Sequence, residues 1–252
     1  MTIESYDWDC PPSYLQLNTG QVHIWRASLE LSPSLLDNLE ACLSEDEIDR
    51  ANRFRFIKDR SHFVAARGCL RDILGYYLGI SPKLVKFSYS QYGKPDLDGE
   101  LNPGGIRFNI SHSHSLGLFA FTRLNDIGID IEYIRSGITD EGIARRFFSQ
   151  NEVENLFSLP DSLRKDAFFN CWTRKEAYIK AHGEGLSLPL DHFDVTLTPG
   201  EPASIMNTRP DPDEAKQWTL HEINPGSGYV AAVAFRARKL QLKYWQWSKL
   251  VV

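Results

Sequence analysis

The run Ile127-Gly128-Ile129-Asp130-Ile131-Glu132 sets two carboxylates two positions apart. Strict alternation marks a strand, with the isoleucines on one face and Gly128, Asp130 and Glu132 on the other. Residues two apart on a strand are separated by ~6.6 Å, so both carboxylates can converge on one cation. The competing reading is an ordinary half-buried strand whose polar face meets water. Gly128 leans toward the first reading, because a strand glycine often marks close approach of a ligand or another backbone.

A second constellation lies in Trp172-Thr173-Arg174-Lys175-Glu176-Ala177-Tyr178-Ile179-Lys180. On a helix Trp172, Glu176 and Lys180 share one stripe at i, i+4 and i+8. Glu176 and Lys180 then form a favourable i,i+4 pair, which can be purely structural. A carboxylate one turn from an amine also suits a metal-bound diphosphate: the acid binds the ion and the amine neutralises the remaining phosphate charge. Asp130, Glu132 and Glu176, drawn from two elements, would suit Mg²⁺, with phosphate oxygens and water completing an octahedron.

Three further segments carry polar chemistry. Phe108-Asn109-Ile110-Ser111-His112-Ser113-His114-Ser115 runs a strand into a short loop of hydroxyls and imidazoles. Neither a Cys nor a third nearby His completes a zinc set around His112 and His114. The same groups suit a phosphate, or simply a hydrophilic loop. Tyr92-Gly93-Lys94-Pro95 reads as a turn. Arg50, Arg53, Arg55, Lys58 and Arg60, interleaved with Phe54 and Phe56, read as a solvated helix face from which Arg50 could reach a phosphomonoester.

Strands are expected at 22–29, 85–90, 106–111, 116–123, 126–132, 193–197, 218–223 and 229–235, with weak alternation at 240–247. Ser44 and Glu47 have the spacing of a capping box, and helical periodicity follows through Phe54, Phe56, Phe63, Leu70 and Leu74 to Gly75 or Gly79. A second helical region spans 138–182, broken at Leu159-Pro160, with its best helix at 168–181. The two regions repeat one order of elements: helix, glycine break, strand opening on Phe, then a small-residue apolar strand. Phe63 precedes Phe87 by 24 positions and Phe169 precedes Phe193 by the same 24. The chain therefore reads as α+β, a duplicated unit of two halves, 1–125 and 126–252, each with a small antiparallel sheet and a long helix.

At 252 residues the chain is long enough to bury a sizeable core. Its 28 Lys+Arg against 33 Asp+Glu give a charge of −5, which argues against a dedicated nucleic-acid binder. Cys10, Cys42, Cys69 and Cys171 are scattered without a C-x-x-C pair, which suggests free thiols and a cytoplasmic location. The acidic N-terminus does not read as a signal peptide, and no apolar run approaches a membrane span.

Taken in order, YGKP, FNISHS, GIDIE, RFFSQNE, W-x-x-KE-A-Y-I-K and GEGLSLPLD resemble the 4′-phosphopantetheinyl transferase superfamily. The resemblance is to its larger, pseudo-dimeric type, which activates peptide and polyketide synthetases, and it covers about residues 44–197. It implies two α+β halves about a pseudo-twofold axis with coenzyme A in the cleft between them. It also implies transfer of 4′-phosphopantetheine from coenzyme A to a serine of apo acyl or peptidyl carrier proteins, releasing 3′,5′-ADP, by a cytoplasmic monomer. By resemblance Asp130, Glu132 and Glu176 hold Mg²⁺ and Lys180 contacts the diphosphate; the reaction needs a base, and Glu176 or Glu132 could take the serine proton directly or through metal-bound water. Gly93, Lys94 and Pro95 border the adenine, Ser111 and His112 bind phosphates, and Arg50 meets the 3′-phosphate. Glu47 departs from the pattern, since some members carry a second lysine there. The alternative is a non-catalytic member that binds coenzyme A or carrier protein as a scaffold; it would lack one of the three acids.

Overall fold

A computed structural model describes residues 8–135 and 141–249. The first half runs β1 (Gln21–Ser28), α1 (Pro33–Glu40), α2 (Glu45–Asn52), α3 (Ile57–Leu78), β2 (Phe87–Tyr89), β3 (Pro95–Leu97), β4 (Ile106–Ser113) and β5 (Leu116–Arg123). The second runs β6 (Ile127–Tyr133), α4 (Glu141–Phe147), α5 (Gln150–Ser158), α6 (Asp161–His182), β7 (Phe193–Val195), β8 (Ile205–Thr208), β9 (Thr219–Ile223) and β10 (Tyr229–Phe235). A last strand, β11 (Gln241–Gln246), follows.

The duplication is visible in the sheets. One is ordered β11-β1-β5-β4 and the other β6-β10-β9, so β1-β5-β4 and β6-β10-β9 repeat one arrangement. α3 and α6 are each 22 residues long and each ends on a left-handed glycine, Gly79 or Gly183. Each then leads to a three-residue strand opening on Phe87 or Phe193, paired in a two-stranded ribbon. β11 breaks the symmetry: it pairs in parallel with β1, so the end of the chain returns to the first sheet.

The apolar faces meet where the alternation places them. Ile127, Ile129 and Ile131 pack with Val22, Ile24, Leu118 and Ala120 in a layer shared by the two sheets. Two expectations need correction. The helix after Ser44 is two helices: Phe56 is extended, and Phe54 and Phe56 are exposed, so the basic run is spread over α2, a connector and α3 instead of one helix face. β3, which opens on the last residue of the expected turn at Pro95, and β8 both form where no strand was expected. The start of the second helical region, 138–140, lies outside the described residues.

Candidate functional site

The polar face of β6 is covered at Gly128 and Asp130, and only Glu132 at its far end is half-buried. Gly128 lies against the backbone of α6 so closely that a Cβ there would come 2.1 Å from the Ala177 carbonyl oxygen and 2.2 Å from the Ala181 nitrogen. The approach marked by this glycine is therefore of backbone on backbone. It brings the next residue on that face, Asp130, beside the last turns of α6. There Lys180 Nζ donates to Asp130 Oδ1 at 2.6 Å. Lys180 thus pairs across elements with Asp130, and not with Glu176 along its own helix.

A third element completes the cluster. Asn109, Ser111 and Ser113 alternate along one face of β4 and reach β6 by side chains. Asn109 Oδ1 accepts from Ile129 N at 2.9 Å, Ser111 Oγ donates to Asp130 Oδ1 at 2.8 Å, and Ser113 Oγ donates to Glu132 Oε2 at 2.9 Å. Lys180 Nζ also donates to Ser111 Oγ at 3.1 Å. Sequence reasoning singled out Ser111 but missed Asn109 and Ser113. Their signal was the period-two spacing within FNISHS, which puts all three on one strand face.

The electrostatics leave room for a cation. Burial first, and then the charge of Asp130, raise Glu132 and Glu176 above their ordinary values. Burial pulls Lys180 down, but Asp130, Glu176 and Glu132 more than offset this and raise it, so its ammonium stays charged. Three carboxylates thus face one ammonium. Among the described residues Asp130 Oδ2 is buried without a hydrogen-bond partner, a costly arrangement for a carboxylate oxygen. The same residues contain no preassembled cluster of three His, Cys, Asp or Glu side chains around a metal position. The donor chemistry nevertheless fits a hard dication that draws the three acids together.

Two clefts flank the cluster. One, of about 970 Å³ with its open mouth included, is lined by His62, His112, His114, Lys58, Arg135 and Glu132, among others. Phe54 also borders the adjoining cleft that holds Arg50. Arg50 is exposed and sits over the Phe63 ring at 5.4 Å. Glu47 faces inward instead: its carboxylate takes Arg67 at 2.6 Å and Arg71 at 2.5 Å, fully buried. This acid is a structural partner of two arginines, which accounts for its departure from lysine.

On the other side Ser90, Lys94, Pro95, Phe108 and Gly183 line a cleft of about 470 Å³. Gly93 takes the positive φ of 80° that the turn requires. Lys94 Nζ donates to the carbonyls of Ile127, Lys180 and Ala181 at 3.0, 2.6 and 3.2 Å. Burial, and then Arg107, lower its pKa to about 8 against the pull of Asp126 and Asp96. The structure therefore gathers Ser111, Asp130, Glu132, Glu176 and Lys180 at one place. Lys94 and Pro95 line a second cleft with Gly93 in the turn beside them, and Arg50 lines a third.

Residues 126–234 match the profile of the 4′-phosphopantetheinyl transferase superfamily, and residues 27–122 match that of the 4′-phosphopantetheinyl transferase N-terminal region. The 4′-phosphopantetheinyl transferase HetI of Nostoc sp. is 43% identical over 96% of this chain and 99% of its own. The 4′-phosphopantetheinyl transferase Sfp of Bacillus subtilis is 33% identical over 73% of this chain and 79% of its own. Among solved structures, the holo-[acyl-carrier-protein] synthase of Thermotoga maritima aligns with a TM-score of 0.37 and 16% identity over 45% of this chain and 64% of that one.

Proposed function

The chain belongs to the 4′-phosphopantetheinyl transferase superfamily, and from that premise we propose that it transfers 4′-phosphopantetheine from coenzyme A to a serine hydroxyl of apo acyl or peptidyl carrier proteins. The products are the holo carrier and 3′,5′-ADP. The observation that carries this reading is the convergence of β4, β6 and α6 on Ser111, Asp130, Glu132, Glu176 and Lys180. Asp130 through its unpartnered oxygen, with Glu132 and Glu176, would hold Mg²⁺. Bound there, the ion would neutralise the coenzyme A diphosphate.

The remaining work falls to side chains of the chain. Ser111 and Ser113 hold the carboxylates of Asp130 and Glu132 in fixed directions by donating to them. Lys180 places a permanent positive charge where negative charge grows on the leaving phosphate. Glu176 or Glu132 takes the proton of the attacking serine, and the raised pKa of both moves them toward the range in which a carboxylate is an effective base. His112 adds a phosphate contact, Arg50 meets the 3′-phosphate, and the backbone of Gly93–Pro95 borders the adenine. No covalent enzyme intermediate is needed, since positioning and electrostatics suffice for phosphoryl-type transfer.

On this reading 1–125 and 126–252 are two related halves, with the metal-binding acids in the second. The protein works as a monomer in the cytoplasm, where its free cysteines would persist. The test is incubation with coenzyme A, Mg²⁺ and a panel of apo carrier proteins. Each carrier's mass is then read for one added phosphopantetheine on its serine. A panel that stays entirely apo would refute the reading.

A further inference from the structure

We propose that Lys94 is a positioning residue whose ammonium ties the start of β6 to the end of α6 and so sets the distance between Asp130 and Lys180. The proposal rests on the transfer reading above for its catalytic consequence, but its structural content stands apart from it. It gives the side chain of Lys94 a role apart from the adenine contact assigned to the turn that carries it.

An ammonium has three N–H donors and no acceptor. Lys94 Nζ is within hydrogen-bond distance of three carbonyl oxygens, those of Ile127, Lys180 and Ala181. Those acceptors account for every donor, so none is left for a phosphate or a base. The acceptors also belong to two elements. Ile127 opens β6, three positions before Asp130, while Lys180 and Ala181 close α6. The last carbonyls of a helix have no intrahelical partner, and a cation there is favoured by the helix dipole. Lys94 supplies that cation from the first half of the chain, 86 positions from Lys180 in sequence.

The surroundings fit a strut. Ser90 Oγ accepts from Lys94 N at 3.1 Å, and Ser90 N donates to the Lys94 carbonyl at 2.9 Å, which fixes the turn at the base of the side chain. At the far end Gly183 has φ +81°, and a Cβ there would lie 3.3 Å from Lys94 Cδ. The glycine that ends α6 therefore also leaves space for the lysine stem. Gly128 lets β6 and α6 approach, and Lys94 bridges the same two backbones one residue away, at Ile127.

Lys94→Met keeps most of the stem and deletes the donors. In steady-state transfer with coenzyme A varied, kcat should fall about tenfold or more, as expected when catalytic groups are displaced by a fraction of an ångström. KM for coenzyme A should stay within about twofold, because no nucleotide contact is lost. A tenfold rise in KM, with or without a change in kcat, overturns the proposal, as does no change in either. If the variant does not fold, or the wild type transfers nothing, the wild-type protein decides. Under an amine-reactive label read by mass spectrometry, Lys94 should remain unmodified while Lys58, with 57% of its side chain exposed, reacts. Labelling of Lys94 at the rate of Lys58, with protection by added coenzyme A, would make it a nucleotide contact and overturn the strut. A wild type that transfers nothing would sink the transfer reading yet leave the labelling result to stand.

Discussion

Lys180 is the residue at which a structural and a chemical role separate most clearly. It bonds Asp130 Oδ1 and Ser111 Oγ, so Lys180→Met removes a charge from the middle of the cluster. With coenzyme A varied at saturating Mg²⁺, kcat should drop by an order of magnitude or more and coenzyme A binding much less, since the charge matters most as the leaving phosphate develops. An unchanged kcat would leave Lys180 a structural partner of Asp130. The carboxylates add a pH signature. Glu132 and Glu176 hold their protons more tightly folded than unfolded, so their contribution to stability falls as pH rises from the ordinary glutamate range through their raised values. A dication stabilises their charged forms, so the gain in Tm on adding Mg²⁺ should grow as pH rises through that range. Thermal scans with and without Mg²⁺ would test this, and a gain that is flat with pH would contradict it. The types of these residues were legible in the sequence because carboxylate and amine spacing is local information. The partner of Lys180 was not, since i,i+4 geometry names Glu176 and only the packing of β6 on α6 brings Asp130 within 2.6 Å.

At the scale of elements, the contact of β6 with α6 is the most sensitive point. Gly128→Ala would put a methyl 2.1 Å from the Ala177 carbonyl oxygen, and the atoms it meets are all backbone, so the strand and helix must part. Transfer should fall sharply, with a lower Tm; near-normal activity and Tm would show that β6 and α6 need not touch. A second test is Glu47, buried between Arg67 and Arg71. Glu47→Ala leaves two guanidinium groups facing each other in the interior and should cost about 3–5 kcal/mol in urea unfolding. An effect below about 1 kcal/mol would contradict so central a role for the acid. Sequence periodicity found the long helices and most strands, because their apolar faces are buried. It failed at 53–56, where Phe54 and Phe56 kept helical spacing although both are exposed. It also missed β8, whose four residues are too few to establish alternation. The sequence left two readings of the polar face of β6 open, because a strand's own residues do not reveal a helix packed on it.

At the scale of the molecule, the two halves share one architecture but only one carries the acids. The offset that sets Phe63 against Phe169, 106 positions, sets Leu70 and Leu74 against Glu176 and Lys180. Repetition of element order was legible from this spacing. The return of β11 to the first sheet was not, because a six-residue strand carries no record of its distant partner. Trp247 beyond it is buried and donates to Asp72 at 2.9 Å. Trp247→Ala should therefore cost about 3–5 kcal/mol in urea unfolding, and a midpoint equal to the wild type would show the tail to be dispensable. The central claim is that the β4–β6–α6 cluster transfers phosphopantetheine. Its most direct test is the intact mass of an apo carrier protein after incubation with coenzyme A and Mg²⁺, using wild type and a folded Asp130→Ala variant in parallel. The account predicts one phosphopantetheine added by the wild type and none by the variant. Equal modification by both would contradict it.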